Sequence, residues 1–331
     1  MKKLFILSLV CSLTFYSCHD ADQPQVQQQN KFDIKLPEPL KNNRASNGRI
    51  KTDVKSVLNS TVFANTGIQI SEVHVCKLAE AHPAKSVETL DKQFQSTLSS
   101  RWVTNDQRRN WNGDNVLNDI DWMPFPFFAT ANGVIDASSI YRSMYSKWQN
   151  DGTCKTVTID ENTYDLSMGN PSLILGIGPW APAEAPLADV SVLGFLPASI
   201  FEAVFGEPNI LGVAFSFVFI DDVTGEPIKT TRGKDDKAYT EVWFNDGFTW
   251  SIGTGSGTID LESVILHEFG HTMNLGHFGI LQLFTNHDGT TKLVYQPVNT
   301  MNAFYIGEPR NFLGQNDKGN FCEAWGSWPW N

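Results

Sequence analysis

One short segment, Ile265–Phe278, constrains the fold of this chain most, because it reads I-L-H-E-F-G-H-T-M-N-L-G-H-F. His267 and His271 are four residues apart, so on a helix both imidazoles leave the same face, one turn apart. Glu268 follows the first histidine, and a further turn of helix would point away from a metal bound by the pair. The chain must therefore leave the helix and turn back to deliver His277. This spacing predicts a zinc site with three histidine ligands, a glutamate as general base and a fourth position left for water.

The helix that carries this segment is predicted to be buried, since apolar residues surround most of its circumference. They are Leu261, Val264, Ile265, Leu266, Phe269 and Met273. Two imidazoles and a carboxylate buried without partners would cost roughly 1–3 kcal/mol per group, and more for a charge. A bound metal removes that cost, which favours a metal site over an accidental H-E-x-x-H on a solvated helix.

The longer pattern H-E-x-x-H-x-x-G-x-x-H resembles the motif of the metzincin peptidases. All three histidines and the glutamate match in spacing, and one position departs, because Asn274 stands where the family has glycine. That glycine ends the helix in a left-handed conformation, which asparagine adopts most readily after glycine. The resemblance also implies a methionine turn, for which Asn299-Thr300-Met301-Asn302 is the candidate, with Met301 as the apolar floor beneath the zinc. Ala303 occupies the position of the zinc-binding tyrosine of some metzincins, so no tyrosine ligand is carried over.

The sequence upstream of the helix resembles the matrixin branch of the metzincins, in a bacterial form. The runs Glu241–Ser251 and Asp260–His267 match a strand ending in F-N, a W-S loop and a D-x-x-S-V-x-x-H-E helix start. The resemblance implies an α+β fold: a metzincin-like catalytic domain with a twisted mixed sheet, an active-site helix and a lower subdomain that carries the Met-turn. The alternation along Ala238–Phe244 predicts a half-exposed strand at or near the sheet edge, beside which an extended peptide could pair.

These features predict a zinc-dependent endopeptidase, secreted or lipid-anchored. Its protein or peptide substrate would be hydrolysed by a zinc-bound water that gives its proton to Glu268. Two alternatives stay open. In a gluzincin-type zinc peptidase a downstream glutamate such as Glu308 would replace His277 as a ligand. In a non-catalytic surface lipoprotein, used for binding or adhesion, the zinc would be structural with four protein ligands, and His287 is a spare histidine nearby.

The N-terminus predicts export from the cytoplasm. Residues 1–18 read as a lipoprotein-type signal peptide, in which two lysines precede an apolar run too short to span a bilayer. Phe15-Tyr-Ser-Cys18 resembles the lipobox of bacterial lipoproteins, whose cysteine is acylated; ordinary signal cleavage with an incidental Cys18 is the alternative. Residues 19–49, rich in Gln, Asn, Lys and Pro, predict a flexible tether. The expected location is the outer membrane or cell surface, otherwise the medium, with membrane contact only through a lipid on Cys18.

Residues 50–110 are predicted to form a small N-terminal region that could be a propeptide, followed by the catalytic domain over 111–331. Val62–Val75 alternates as strands do. Helical spacing is kept by four apolar residues further on, Val87, Leu90, Phe94 and Leu98. Cys76 could block the zinc as a thiolate, and Asp114 as a carboxylate. Cys76 lacks the P-R-C-G context of the matrixin switch, however, which favours a buried or disulfide-bonded cysteine.

Composition narrows the partners. Acidic residues exceed basic ones by 36 to 25 in a chain of 331 residues, with no basic cluster, which argues against nucleic acid. Among the cysteines beyond the signal, Cys154 and Cys322 both lie in the catalytic domain and are the predicted disulfide. Asp221 and Asp222 lie in a turn whose oxygens could bind calcium, although solvated turn acids are the commoner case.

Overall fold

A mixed β-sheet of eight strands organises the described part of the chain, and hydrophobic cores cover both of its faces. The computed structural model describes residues 32–41, 53–64, 66–80, 87–151, 154, 157–231 and 233–329. Phe32–Asn331 forms one compact unit of mixed helices and strands. The predicted α+β class is therefore confirmed.

The helices and strands follow in chain order. The helices are α1 (Glu38–Lys41), α2 (Val54–Thr61), α3 (Ser138–Asp151), α4 (Ala198–Phe205), α5 (Leu261–Thr272) and α6 (Gln315–Trp325). Short 3-10 turns lie at Gln107–Arg109, Pro126–Phe128 and Leu166–Met168. The strands are β1 (Ile34–Lys35), β2 (Ile68–Leu78), β3 (Val87–Phe94), β4 (Ser100–Arg101), β5 (Asp119–Pro124), β6 (Thr130–Ala131), β7 (Ile135–Asp136), β8 (Thr158–Glu161), β9 (Gly176–Ile177), β10 (Val190–Leu196), β11 (Ile210–Phe219), β12 (Asp235–Asn245), β13 (Trp250–Ser251), β14 (Ile259–Asp260), β15 (Phe278–Thr285), β16 (Thr291–Gln296) and β17 (Phe304–Tyr305).

The main sheet has the order β17-β2-β11-β12-β10-β5-β8, with β4 paired to the start of β12. Strands β12, β10, β5 and β8 run parallel to one another, whereas β11 is antiparallel to β12 and β2 is antiparallel to β11. A smaller antiparallel sheet has the order β16-β15-β3. The N-terminal strand β2 thus belongs to the main sheet, one place beyond β11.

The prediction of a half-exposed edge strand at Ala238–Phe244 is wrong. These residues lie in β12, which is buried along nearly its whole length between β11 and β10. Its side chains enter both cores, Val242 on one face and Trp243 on the other. Glu241 made the strand look exposed, but it is completely buried and accepts hydrogen bonds from three groups. The donors are the Ser172 hydroxyl, the Leu173 backbone and the Trp243 indole.

Helix α5 is held against the sheet by α3. The ring of Tyr145 stacks on Phe269 with centroids 3.9 Å apart, and the Trp148 indole donates to the Leu266 carbonyl at 2.9 Å. From α6, the Trp325 indole donates to the Met273 carbonyl at 2.8 Å, just beyond the end of α5. Aromatic side chains therefore hold this helix in two ways: their rings pack against its apolar side chains, and their indole N–H groups donate to its backbone carbonyls.

The N-terminal part of the chain departs from the predictions in two ways. Residues 32–41 are not a flexible tether, because β1 pairs with β9 and Leu40 is buried. The segment Val87–Phe94 forms β3 rather than a helix, since it pairs along β15 with its side chains largely exposed. The predicted signal, the acylated Cys18 and the rest of the tether lie outside the described residues. Among the described residues, no helix has both the length and the apolar character needed to cross a bilayer.

Two further predictions concern the catalytic half. The disulfide between Cys154 and Cys322 is confirmed. The Asp221 carboxylate, offered as a calcium ligand, instead accepts hydrogen bonds from the backbone of Val223 and Thr224 within its own turn. Among the described residues, the groups of three or more His, Cys, Asp or Glu close enough to hold a metal all lie around α5.

Candidate metal centre

Three imidazole nitrogens meet at one point, and they belong to the three predicted ligands. Nε2 of His267 lies 3.1 Å from Nε2 of His277, and Nε2 of His271 lies 3.2 Å from each of these atoms. A tetrahedral zinc with bonds of about 2.0–2.1 Å to nitrogen separates its ligands by roughly 3.3 Å. The three nitrogens therefore form a triangle of the size that one metal ion requires.

The other ring nitrogens fix the tautomers of the two helical histidines. Nδ1 of His267 donates to the Thr300 carbonyl at 2.8 Å, and Nδ1 of His271 donates to the Leu275 carbonyl at 2.7 Å. With the proton on Nδ1, each Nε2 carries a lone pair, and the two lone pairs face each other without a hydrogen between them. Such an arrangement is repulsive in the absence of a cation and is the usual support of a metal-binding histidine.

Burial keeps these imidazoles neutral. It lowers the pKa of His267 to about 3, with the Thr300 hydrogen bond opposing and the charges of Arg310 and His74 assisting. Burial likewise lowers the pKa of His271 and His277 well below the usual value for histidine. Neutral imidazole is the form that binds a metal.

The turn after α5 returns the third histidine to the helix. Helix α5 starts behind Asp260, whose carboxylate accepts the Ser263 backbone hydrogen at 3.0 Å. It ends at Thr272, and Asn274 then adopts φ 65°, the left-handed conformation that was predicted at this position. The reversal brings His277 back beside its two partners.

Lys237 supports the same turn from β12. Its side chain is completely buried, and Nζ donates to the His271 carbonyl at 3.1 Å and to Oδ1 of Asn274 at 3.2 Å. A cation here satisfies carbonyl groups that the end of a helix leaves unpaired. No pattern in the sequence pointed to Lys237, because a lysine among charged neighbours ordinarily indicates an exposed position.

Glu268 lies beside the three histidines and is sealed from solvent. Its Oε1 accepts the backbone N–H of Cys76 at 3.2 Å, and its Oε2 is buried without a hydrogen-bond partner. Burial raises the pKa of Glu268 well above the usual value for a glutamate. Gly212 of β11 passes so close that a Cβ at this position would lie 2.9 Å from Oε1, so any other residue there would displace the Glu268 carboxylate.

Met301 lies against the helix between the two helical histidines. A Cβ on Gly270 would lie 2.2 Å from the Met301 sulfur, so the glycine of H-E-F-G-H makes room for this contact. Asp317 of α6 holds the turn by accepting the backbone hydrogens of Thr300 at 2.8 Å and of Met301 at 3.1 Å. No pattern in the sequence pointed to Asp317.

Strand β2 brings two further side chains to the histidines. His74 and Cys76 are two residues apart and therefore share the face of the strand that looks toward α5. The ring of His74 stacks on that of His271, with centroids 4.5 Å apart. Burial raises the pKa of the Cys76 thiol, with the charge of Glu268 adding to the effect. Cys76 was considered from the sequence as a group that could block the zinc. His74, two residues earlier on the same face of the strand, was not considered.

The remaining candidates lie elsewhere. Glu308, the ligand in the gluzincin alternative, is exposed, as is His287, which lies in the turn between β15 and β16. Asp114 is exposed as well, and its carboxylate accepts hydrogen bonds from the Asn112 side chain and the Val116 backbone. Of the predicted ligands, the structure thus brings together His267, His271 and His277.

Comparisons with known proteins add no relative: no family model matches this chain, and no curated protein matches it. What can be said of its chemistry therefore comes from its own residues.

Proposed function

We propose that this protein is a zinc-dependent endopeptidase of the metzincin type, with His267, His271 and His277 as metal ligands and Glu268 as the catalytic residue. The observation that carries the proposal is the convergence of three Nε2 atoms, 3.1–3.2 Å apart, beside a buried carboxylate. A closed structural site has no use for such a carboxylate, whereas a hydrolase needs one as a general base.

The residues present fit zinc. Two of the three imidazoles have their Nδ1 hydrogens committed to backbone carbonyls, which leaves Nε2 as the only donor atom for a metal. Three neutral imidazoles suit Zn²⁺ in a site that keeps one position for substrate or water. When bound, the ion would supply a Lewis acid that acidifies water and polarises the scissile carbonyl.

Glu268 would move the proton. Its Oε2 has no partner, so it is the oxygen free to accept a hydrogen from water and to pass it to the leaving amine. A bound zinc ion beside it would favour the ionised carboxylate, which is the form that accepts the proton. Met301, packed against Gly270, would support the helix between His267 and His271 and so hold the two imidazoles at their spacing.

The proposed setting is outside the cytoplasm, at the outer membrane or cell surface or in the medium. The Cys154–Cys322 disulfide supports it, because such bonds persist in oxidising compartments. The proposed partner is a protein or peptide substrate, with membrane contact only through a lipid on Cys18.

The test is metal-dependent proteolysis by the chain of residues 19–331, together with its Glu268→Gln variant. Both proteins are assayed on denatured casein before and after graded treatment with trypsin that is then inhibited, since Glu268, His267 and His271 are buried in the intact fold. We expect chelator-sensitive cleavage by the wild type, and a rate lower by roughly 10²- to 10⁴-fold in Glu268→Gln. Equal zinc content in the two proteins is the control for folding. Cleavage at the same rate by Glu268→Gln would refute the assigned mechanism.

One observation favours the second candidate, a surface lipoprotein with a structural zinc. Structural sites have four protein ligands, and the ring of His74 lies against the three-histidine set. In that case both proteins would bind one equivalent of zinc and neither would cleave casein at any stage of trypsin treatment.

A further inference from the structure

Strand β2 lies along the edge of β11 that passes over the metal centre. Cys76 is in register with Gly212 and His74 with Ala214, in antiparallel pairing. On its other edge β2 pairs with β17, which follows Met301 closely in the chain. An extended peptide that added to β11 by strand pairing would need the edge that β2 occupies.

The next segment of the chain adds to this cover. The Gln95 backbone donates to the His277 carbonyl at 3.0 Å, and the Leu98 backbone donates to the Asn274 carbonyl at 2.9 Å. A Cβ on Gly276 would lie 2.4 Å from the Gln95 carbonyl, so the glycine permits this close pairing. The turn that delivers the third histidine is therefore clamped from outside by the N-terminal part of the chain.

His74 has the geometry of a group that approaches a metal. Its ring is stacked on His271 and perpendicular to His277, with centroids 5.3 Å apart in the second pair. The ligand atoms of these three histidines all lie within 4.8 Å of one another. The side chain is 11% exposed, and its Nε2 has no hydrogen-bond partner. Oε1 of Glu72 lies 3.8 Å from this same nitrogen, so a carboxylate lies beside the ring.

Cys76 is the rival donor on the same strand, and its surroundings differ. Its sulfur lies within 4.8 Å of the donor atoms of His267 and Glu268, on the glutamate side of the site. The residue belongs to the hydrophobic core and is 1% exposed. Its backbone N–H, rather than its thiol, contacts the functional residue, through the bond to Glu268.

We propose that His74 is a fourth protein ligand of the metal and that β2 is a built-in occupant of the peptide-pairing edge of β11. In this state the metal is closed off by histidine, Glu268 is capped by the Cys76 backbone, and no substrate strand can pair. The latency of this state rests on the proposed function, whereas the ligand assignment stands on the metal centre alone.

The test uses cobalt as a visible substitute for zinc in the chain of residues 19–331. Four proteins are compared: the wild type, His74→Phe, His74→Cys and His287→Phe. Phenylalanine keeps a ring to stack on His271 but has no donor nitrogen, and His287→Phe makes the same change at an exposed histidine. Zinc affinity is measured by competition with a chelator, and the visible and near-ultraviolet spectra of the cobalt forms are recorded.

We expect His74→Phe to weaken zinc binding by at least roughly 10- to 100-fold. Removing a group that only hydrogen-bonds to a metal ligand already causes a loss of this size, and removing a ligand should cost no less. Its cobalt spectrum should change, and His287→Phe should behave as the wild type. His74→Cys should add a thiolate-to-cobalt band that the wild type lacks. An unchanged affinity and spectrum in His74→Phe would overturn the assignment, and a thiolate band in the wild type would give the fourth position to Cys76 instead.

The cleavage assay separates this inference from the proposed function. If the protein cleaves casein in a chelator-sensitive way and His74→Phe changes neither zinc affinity nor the cobalt spectrum, the peptidase proposal is supported and His74 is not a ligand. If His74→Phe strongly weakens metal binding but the wild type does not cleave casein after trypsin treatment, His74 is supported as a ligand and the peptidase proposal is refuted.

Discussion

Replacing Asn274 by glycine, the residue of the metzincin motif, tests why this chain departs from that motif. If the position needed only a left-handed backbone, glycine would relieve a strain of at most about 1–2 kcal/mol, less the about 0.4–1 kcal/mol by which its freer unfolded chain destabilises the fold. Asn274 has φ 65°, but its Oδ1 also accepts a hydrogen bond from the buried ammonium of Lys237 at 3.2 Å. A hydrogen bond to a charged group contributes about 1.5–3 kcal/mol. We therefore expect Asn274→Gly to destabilise the protein by about 1–2 kcal/mol.

The coupling between the two residues is measured by a double-mutant cycle. Asn274→Gly is made in the wild type and in Lys237→Met, and the free energy of unfolding is determined in urea with excess chelator, so that lost metal binding does not contribute. The solution is kept below pH 7, because burial lowers the pKa of Lys237 to about 7 and the ammonium is the stronger donor. We expect a coupling energy of about 1.5–3 kcal/mol. A stabilising Asn274→Gly in the wild type, or additive effects, would refute the role given to the Lys237 contact.

Two further predictions concern pH and the N-terminal boundary. The folded-state pKa of His267 is lowered from 6.5 to about 3, and those of His271 and His277 are lowered as well. The stability that these histidines contribute is present above the unfolded pKa and is lost as pH falls toward the folded one. Burial raises the pKa of Glu241 to about 7 and that of Glu268 as well, which acts in the opposite sense, so the comparison is made with His271→Phe. From pH 7 to pH 5 the urea midpoint of the chelated wild type should fall relative to that of His271→Phe; an equal change in the two proteins would contradict it. A chain lacking residues 50–105 should not fold, since Leu98 and Trp102 are completely buried and such losses cost about 3–5 kcal/mol per large side chain. Cooperative thermal unfolding of the purified deletion would disprove this.

The convergence of the three histidines could be predicted from sequence because its constraints are local. His267 and His271 face one way on any helix, and Asn274 is a residue that can end that helix in a left-handed turn. The Cys154–Cys322 disulfide could be predicted because export to an oxidising compartment favours a disulfide and both cysteines lie in the predicted catalytic domain. Only three cysteines lie beyond the predicted signal, so few pairings were possible. In each case the information lies within one element or in a very small set of combinations.

The place of the N-terminal strand could not be predicted, because pairing partners far apart in the chain leave no local trace. The alternation in Val62–Val75 indicates a strand, yet nothing in it specifies β11 as its neighbour. The helical spacing of Val87 and Leu90 was misleading for the same reason. These residues lie in β3, where pairing with β15 sets the structure and the side chains are exposed or half-buried. The boundary at residues 110 and 111 therefore stays a prediction, although β2 and β4 both belong to the main sheet.

Glu241 and Lys237 show why buried polar side chains are hard to predict from sequence. The alternation that includes Glu241 predicted a half-exposed strand, and no pattern pointed to Lys237, yet both side chains are completely buried. Glu241 has three donors and Lys237 has two acceptors, so burial leaves neither uncompensated. His74 Nε2 and Glu268 Oε2 have none, although both are buried. Glu268 Oε2 lies beside three converging imidazole nitrogens, where the proposed reaction needs an oxygen that is free to accept a proton.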